Sequence, residues 1–232
     1  MRKFIIVMAA VLLSLSAAGC GLASSASSGK NRLFDIGEET CSVKEGLVYL
    51  VNMRNAYSDY AGLDLWDAIS ADSSGDASAE EKLEELVYSR LLYIYCLDLM
   101  AQEDDITLSA AEEALISQAA QAYYESLSDT DLAYLDTDTS DFELYYTHFA
   151  LAEKYYEKKT ADVTLSSAAS TEEEEEQLLE AAKEEAMEAY MEAFVSTVEI
   201  TIYEGALLQT ASGDAQVQTA AFFSIYNEYV SQ

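Results

Sequence analysis

The sequence predicts a mainly α-helical domain whose N- and C-terminal segments are joined by a small two-stranded β-ribbon. Three observations carry that prediction. The 232-residue chain contains no proline and only 9 glycines, so little interrupts a helix. Apolar residues recur at helical spacing through most of its length. Two short segments of strand character stand alone near opposite ends, and an isolated strand leaves its backbone polar groups unsatisfied.

The elements follow in order. Arg2 and Lys3 precede an apolar run from Phe4 to Leu15, the layout of an export leader. That run is shorter than the roughly 20 apolar residues a bilayer span requires. It meets Leu15-Ser16-Ala17-Ala18-Gly19-Cys20, which resembles the bacterial lipobox, although Ala17 stands where the usual pattern has leucine. Residues 1–19 are therefore expected to be a lipoprotein signal peptide, with Cys20 as the lipidated residue. Residues 20–31, small and Ser-rich, read as a stalk.

Arg32 to Gly37 alternates apolar and polar side chains and predicts one strand. Ser42-Val43-Lys44-Glu45 has the spacing of a capping box and opens a helix to about Tyr57. Leu63 to Ile69 suggests a short helix before a polar loop, Ser70 to Ser78. From Ala79 to about Gln102, residues Leu83, Leu86, Val87, Leu91, Ile94 and Leu97 mark a helical face. Ser109 to Glu112 and Ser140 to Glu143 read as two more capping boxes, opening helices to about Leu127 and Lys159. Residues 160–170 form a low-complexity linker. Thr171 heads a long helix from Glu172 to about Ser196, whose run of glutamates meets the positive end of the helix dipole. Thr197 to Tyr203 alternates and is β-branched, predicting a second strand. Pairing Leu33–Gly37 with Val198–Tyr203 makes residues 32–205 one domain. Residues 206–232 then form a C-terminal tail, in which Gln216 to Val230 has helical character.

Charge and motif content narrow the function. With 43 acidic residues against 12 basic ones, the formal charge is −31, which argues against nucleic acid as a partner. It also argues that the membrane is reached through the lipid on Cys20, because an anionic surface repels the body. Half the residues are hydrophobic, enough for a proper core. Export permits a disulfide between Cys41 and Cys96. Cys96 lies in an apolar helical run, however, and buried free thiols are the expectation. The one histidine, His148, has Leu144, Tyr145, Leu151 and Ala152 as helical neighbours and reads as packed rather than catalytic. A zinc site lacks ligands. Asp136 to Asp141 only faintly suggests a calcium loop, since Asp141 and Thr147 stand where glycine and glutamate belong. No metal or cofactor is expected, and no phosphate loop or nucleophile elbow occurs.

Several segments resemble the chaperone domain of the SurA/PrsA family of extracytoplasmic folding factors. They are Phe34 to Glu45; Asp104 to Glu112 with Ala122 to Leu127; Tyr145 to Tyr155; and Ala189 to Phe194 ending in Val198 to Tyr203. The resemblance covers about residues 33–205. It implies a helical chaperone domain binding unfolded or newly exported polypeptides. In that family a parvulin-type prolyl isomerase domain of about ninety residues separates the two halves, a length typical of a small domain. Here residues 160–170 occupy its place, and a single histidine cannot supply the histidine pair of parvulin chemistry. The resemblance thus implies peptide binding without catalysis.

The 17 tyrosines include the adjacent pairs Tyr123-Tyr124, Tyr145-Tyr146 and Tyr155-Tyr156. Neighbours on a helix point about 100° apart, so one of each pair can pack while the other reaches a rim. With Phe149, these six tyrosines are the candidate peptide-binding residues, offering apolar contact with polar tips. Two other readings stay open: a non-catalytic surface or scaffold lipoprotein with one dedicated partner, and residual prolyl isomerase activity.

Overall fold

A computed structural model describes residues 31–58, 79–165, 171–207 and 221–230. The expected leader, Cys20 and the expected stalk up to residue 30, the helix suggested at Leu63–Ile69 with its following loop, residues 166–170 of the linker, and residues 208–220 and 231–232 of the C-terminal segment, including the start of the helix suggested at Gln216–Val230, lie outside the described residues. Those described are mainly helical, with one small three-stranded antiparallel sheet.

Strand β1 (Arg32–Ile36) turns through Gly37 and Glu38 into β2 (Glu39–Ser42). Gly37 takes φ +57°, a left-handed conformation that glycine adopts without steric cost. Strand β3 (Ile200–Ile202) pairs antiparallel with the other edge of β1, so the order is β2-β1-β3. Phe34 faces Ile202, Asp35 faces Thr201 and Ile36 faces Ile200, as the pairing of the two chain ends required. Gly37 N–H to Glu199 O at 2.9 Å and Tyr203 N–H to Leu33 O at 3.0 Å extend that ladder.

The ribbon expected to have two strands has three. Glu39-Thr40-Cys41-Ser42 is only four residues long, and Ser42 read more easily as a cap. The β1–β2 register slips between Arg32 and Phe34, a bulge that lets the consecutive Leu33 and Phe34 both turn inward. On the outer face Asp35 ties all three strands. It accepts from Thr40 Oγ1 at 2.7 Å, from Tyr203 Oη at 2.7 Å and from Arg32 Nη1 at 2.9 Å.

Seven helices follow among the described residues: α1 (Val43–Ser58), α2 (Ala79–Glu103), α3 (Ala110–Ser126), α4 (Asp129–Leu135), α5 (Thr139–Thr160), α6 (Glu172–Val195) and α7 (Phe222–Tyr229). Helix α5 is the central one, packed on α2, α3 and α6. Glycine at position 46 of α1 lets the sheet approach, since a Cβ there would lie 3.0 Å from Leu33 Cδ2 and 3.2 Å from Leu207 Cδ1.

Helix ends follow the capping chemistry, with one box relocated at α5 and one half formed at α1. Ser109 caps α3 in the expected box with Glu112. Lys154 of α5 reaches the same carboxylate at 2.7 Å, and this pairing, with Ser109, holds Glu112 down to about 2. Ser128 and Asp131 form a box that opens α4, an element the sequence reading did not separate. The box expected at Ser140–Glu143 instead runs from Asp138 to Asp141, placing the start of α5 at Thr139. An Asp at the cap accepts two backbone N–H groups there, from Ser140 at 2.8 Å and Asp141 at 3.2 Å. Thr171 caps α6, whose opening glutamates are all solvated.

The segment read as a tail contributes to the core. Phe222 and Tyr226 of α7 are buried. The Phe222 ring stacks on Tyr146 at 4.4 Å and meets Tyr123 at 5.1 Å and Tyr49 at 5.4 Å. Asn52 fixes the backbone of the segment: its Oδ1 accepts from Phe222 N–H at 3.0 Å, while its Nδ2 donates to Val48 O and Tyr123 Oη. Tyr146 Oη donates to Phe222 O at 2.7 Å. The aromatic core of the domain therefore extends at least to Tyr226. Replacing Phe222 by alanine is expected to cost about 3–5 kcal/mol, the usual loss for a buried phenylalanine, read as a lower urea midpoint. An exposed change on the same helix, Ser224→Ala, should leave the midpoint within about 0.5 kcal/mol of the parent.

Candidate functional site

The corner between β2 and α1 buries the most unusual group of side chains. Ser42 Oγ accepts from Glu45 N–H at 3.1 Å and so caps α1. The Glu45 carboxyl does not return that bond, as a capping box would require. It turns inward instead and is 1 % exposed. Three elements meet around it. From β2, Cys41 Sγ lies 3.6 Å from Glu45 Oε2. From α2, Tyr95 Oη donates to the same oxygen at 2.7 Å. From α5, His148 places Nδ1 3.7 Å from Glu45 Oε1, just beyond hydrogen-bond distance.

The far side of the imidazole faces a second carboxyl. His148 Nε2 is 4.0 Å from Asp98 Oδ2, and Gln102 Nε2 donates to Asp98 Oδ1 at 3.3 Å. Tyr95, Asp98 and Gln102 sit at i, i+3 and i+7, one stripe of α2 facing α5. The Tyr95 ring supports the histidine edge-on at 4.6 Å and meets Phe34 of β1 at 5.3 Å. Glu45 Oε1 and His148 Nδ1, which face one another, are both buried without a hydrogen-bond partner.

Burial sets the direction of the shift for Cys41, Tyr95 and Asp98, but not for the histidine. It pushes the Cys41 thiol well up, and the neighbouring Glu45 adds to the effect. It also raises the Tyr95 hydroxyl, again with Glu45 contributing. Asp98 is raised by burial, partly offset by His148. For His148 burial opposes the charged ring, but Glu45, Asp98 and Glu39 together outweigh it and raise its pKa above the usual histidine value. Cys96, elsewhere on α2, is pushed up to about 12 by burial alone. Both cysteines are free and buried, as their sequence context suggested. Neither forms a thiolate readily, and thiolate is the reactive form.

The aromatic residues expected to cradle peptides occupy different ground. Tyr123, Tyr145, Tyr146, Phe149, Tyr155 and Tyr156 are buried, and Tyr124 is half-buried. Tyr123 and Tyr146 surround Phe222, and Phe149 packs on Tyr226 at 4.7 Å. Each adjacent pair was expected to send one ring inward and one to a rim. On α5 both members go inward, because α2, α3, α6 and α7 cover that helix from several sides. Large apolar side chains that do remain exposed include Leu115, Leu144, Leu178 and Tyr190.

Glu45 escaped the sequence reading because its spacing from Ser42 matched a cap. One signal was legible: Glu45 and Asn52 share a stripe of α1 with apolar Val48, and Asp98 shares the apolar stripe of α2 with Leu91. Among the described residues no group of three or more His, Cys, Asp or Glu side chains is arranged to hold a metal ion. No described helix is long and apolar enough to cross a membrane.

No family model, curated protein or solved structure matches the chain.

Two outcomes follow from the buried corner. Tyr95→Phe withdraws the one hydroxyl that serves Glu45 and should destabilise the fold by about 1–3 kcal/mol in urea denaturation, the penalty of an unsatisfied buried acceptor. Cys41 and Cys96 should stay unreactive toward a thiol-specific disulfide reagent in the native protein and react together on unfolding. Rapid native labelling of either would place it nearer the surface than its burial implies.

Proposed function

We propose that the chain is a membrane-tethered extracytoplasmic lipoprotein whose helical domain binds unfolded, newly exported polypeptides without catalysis. Its anchor is the lipid on Cys20, following the leader of residues 1–19. The observation that carries the domain reading is the pairing of β1 with β3. It gathers the two ends of the helical region into one unit, as two otherwise partnerless strands predict, and one closed helical unit supports the chaperone-domain reading. Helix α5 ends at Thr160 and α6 begins at Glu172, so the join is too short to hold an isomerase domain.

The burial of the tyrosines shifts where clients would bind. Contact falls to side chains left outside the core, such as Leu115 and Leu144, set in a strongly acidic surface. An acidic surface repels acidic clients and favours basic unfolded segments. The same burial supports a second reading, in which the domain serves one dedicated partner or scaffold. Scattered exposed apolar residues make a poorer general cradle than an aromatic groove.

Full-length protein in detergent, added at several-fold excess, should suppress aggregation of a basic denatured client more than of an acidic one. Loss of aggregation control toward every client, with capture of one stoichiometric partner from membrane extracts, would transfer the assignment to the second reading. A proline-peptide assay should show no turnover. Separately, Cys20→Ala should abolish incorporation of labelled lipid and release the protein from the membrane fraction. Unchanged membrane retention would overturn the anchor.

A further inference from the structure

The buried corner holds a histidine between two carboxyl groups that lie on different helices. A neutral imidazole carries one N–H and one lone pair, so it can donate to only one of them. The lone pair then faces the other carboxyl oxygen inside the protein, where an unmet polar pair is costly. An imidazolium carries two donors, one for each side. The geometry is already that of a bridge: Nδ1 stands 3.7 Å from Glu45 Oε1 and Nε2 stands 4.0 Å from Asp98 Oδ2, both slightly open. Glu45 Oε1 and His148 Nδ1 have no other hydrogen-bond partner.

We infer that His148 is a proton-operated clamp, which when charged draws α5 against the β2–α1 corner and against α2, and when neutral slackens both contacts. This inference does not depend on the proposed chaperone role. A domain on the outer face of a membrane would meet the pH of its surroundings directly, and the clamp couples that pH to the packing of its central helix.

The groups facing His148 are anionic or neutral. From the β2–α1 corner come Glu45, against which Cys41 packs, and, with a weaker effect, Glu39; from α2 come Tyr95 and Asp98. The other elements meet α5 at different positions: α3 through Glu112 on Lys154, α7 through Tyr226 on Glu153, and α6 beside Tyr156. The direction of the effect follows from the sign of the shift. The folded pKa of His148 lies above its unfolded value near 6.5, so its stabilisation is fully present below that value. It is lost as pH rises through the folded pKa. Asp98, also raised, acts in the same direction at lower pH, losing its contribution as pH climbs above the ordinary aspartate range.

The chain has a single histidine, which makes the test direct provided no histidine tag is attached. The imidazole proton resonance of the full-length protein in detergent should titrate with a midpoint above about 6.5. The folded-to-unfolded ratio in urea should fall as pH rises from the unfolded midpoint near 6.5 through the folded one, by about tenfold for each pH unit separating the two. His148→Gln should show no such fall. Asp98→Asn should lower the histidine midpoint by about one pH unit, since it removes one facing anion. If His148→Gln fails to fold, the wild-type titration and Asp98→Asn still decide the matter. A histidine midpoint at or below about 6.5, an equal pH slope in His148→Gln, or an unmoved midpoint in Asp98→Asn would each overturn the clamp.

Discussion

Strand β1 is hydrogen-bonded on both edges, to β2 from the adjoining sequence and to β3 from the far end of the helical region. Its inward residues, Leu33, Phe34 and Ile36, are fully buried against the helices. Remove that strand and β2 and β3 each lose their only sheet neighbour among the described residues. Tyr95 loses the ring of Phe34, and Gly46 loses the Leu33 side chain that fills its notch. Backbone pairing supplies direction here, while burial of these three apolar side chains supplies most of the free energy.

Helix α1 distributes polar groups along the face it buries. Glu45 serves the corner beneath the sheet, and Asn52, two turns on, serves the aromatic core around Phe222. The two sites differ in how well they are satisfied. Asn52 has its donor and acceptor both used, which fixes α7 in one position. Glu45 has one oxygen bonded and one open toward His148. A fully met network specifies a single packing, whereas an incompletely met one leaves energy that a proton can supply. Rigid and responsive elements thus share one helix.

Much of this architecture was legible before any coordinates. Helices α1, α2, α3, α5 and α6 follow from apolar spacing and caps, and the β1–β3 pairing follows from two strands that had no other partner. Several features were not, among them α4 and the docking of the C-terminal helix. Glu39 to Ser42 is short and polar on its exposed side, so its strand character lies in hydrogen bonds rather than in pattern. The relocated cap at Asp138 reflects competition among several Asp, Thr and Ser residues, each able to accept backbone N–H groups. The inward tyrosines depend on how many helices surround α5, a tertiary property that adjacency in sequence does not encode. The buried corner was not legible either, because its members come from β2, α1, α2 and α5 and only the tertiary fold brings them together.

The partners Asp35 and Tyr203 are 168 residues apart in the chain. A polypeptide is made from its N-terminus, so β1 and its hairpin exist long before their third strand, and Phe222 arrives later still. Until then the outer edge of β1 is unpaired, and the rings of Tyr123 and Tyr146 lack the one they enclose. Contacts this distant in sequence slow folding, because a long loop must close before they form. A chain still lacking these segments exposes the apolar surface they cover, until Ile200–Ile202 and Phe222 have both emerged.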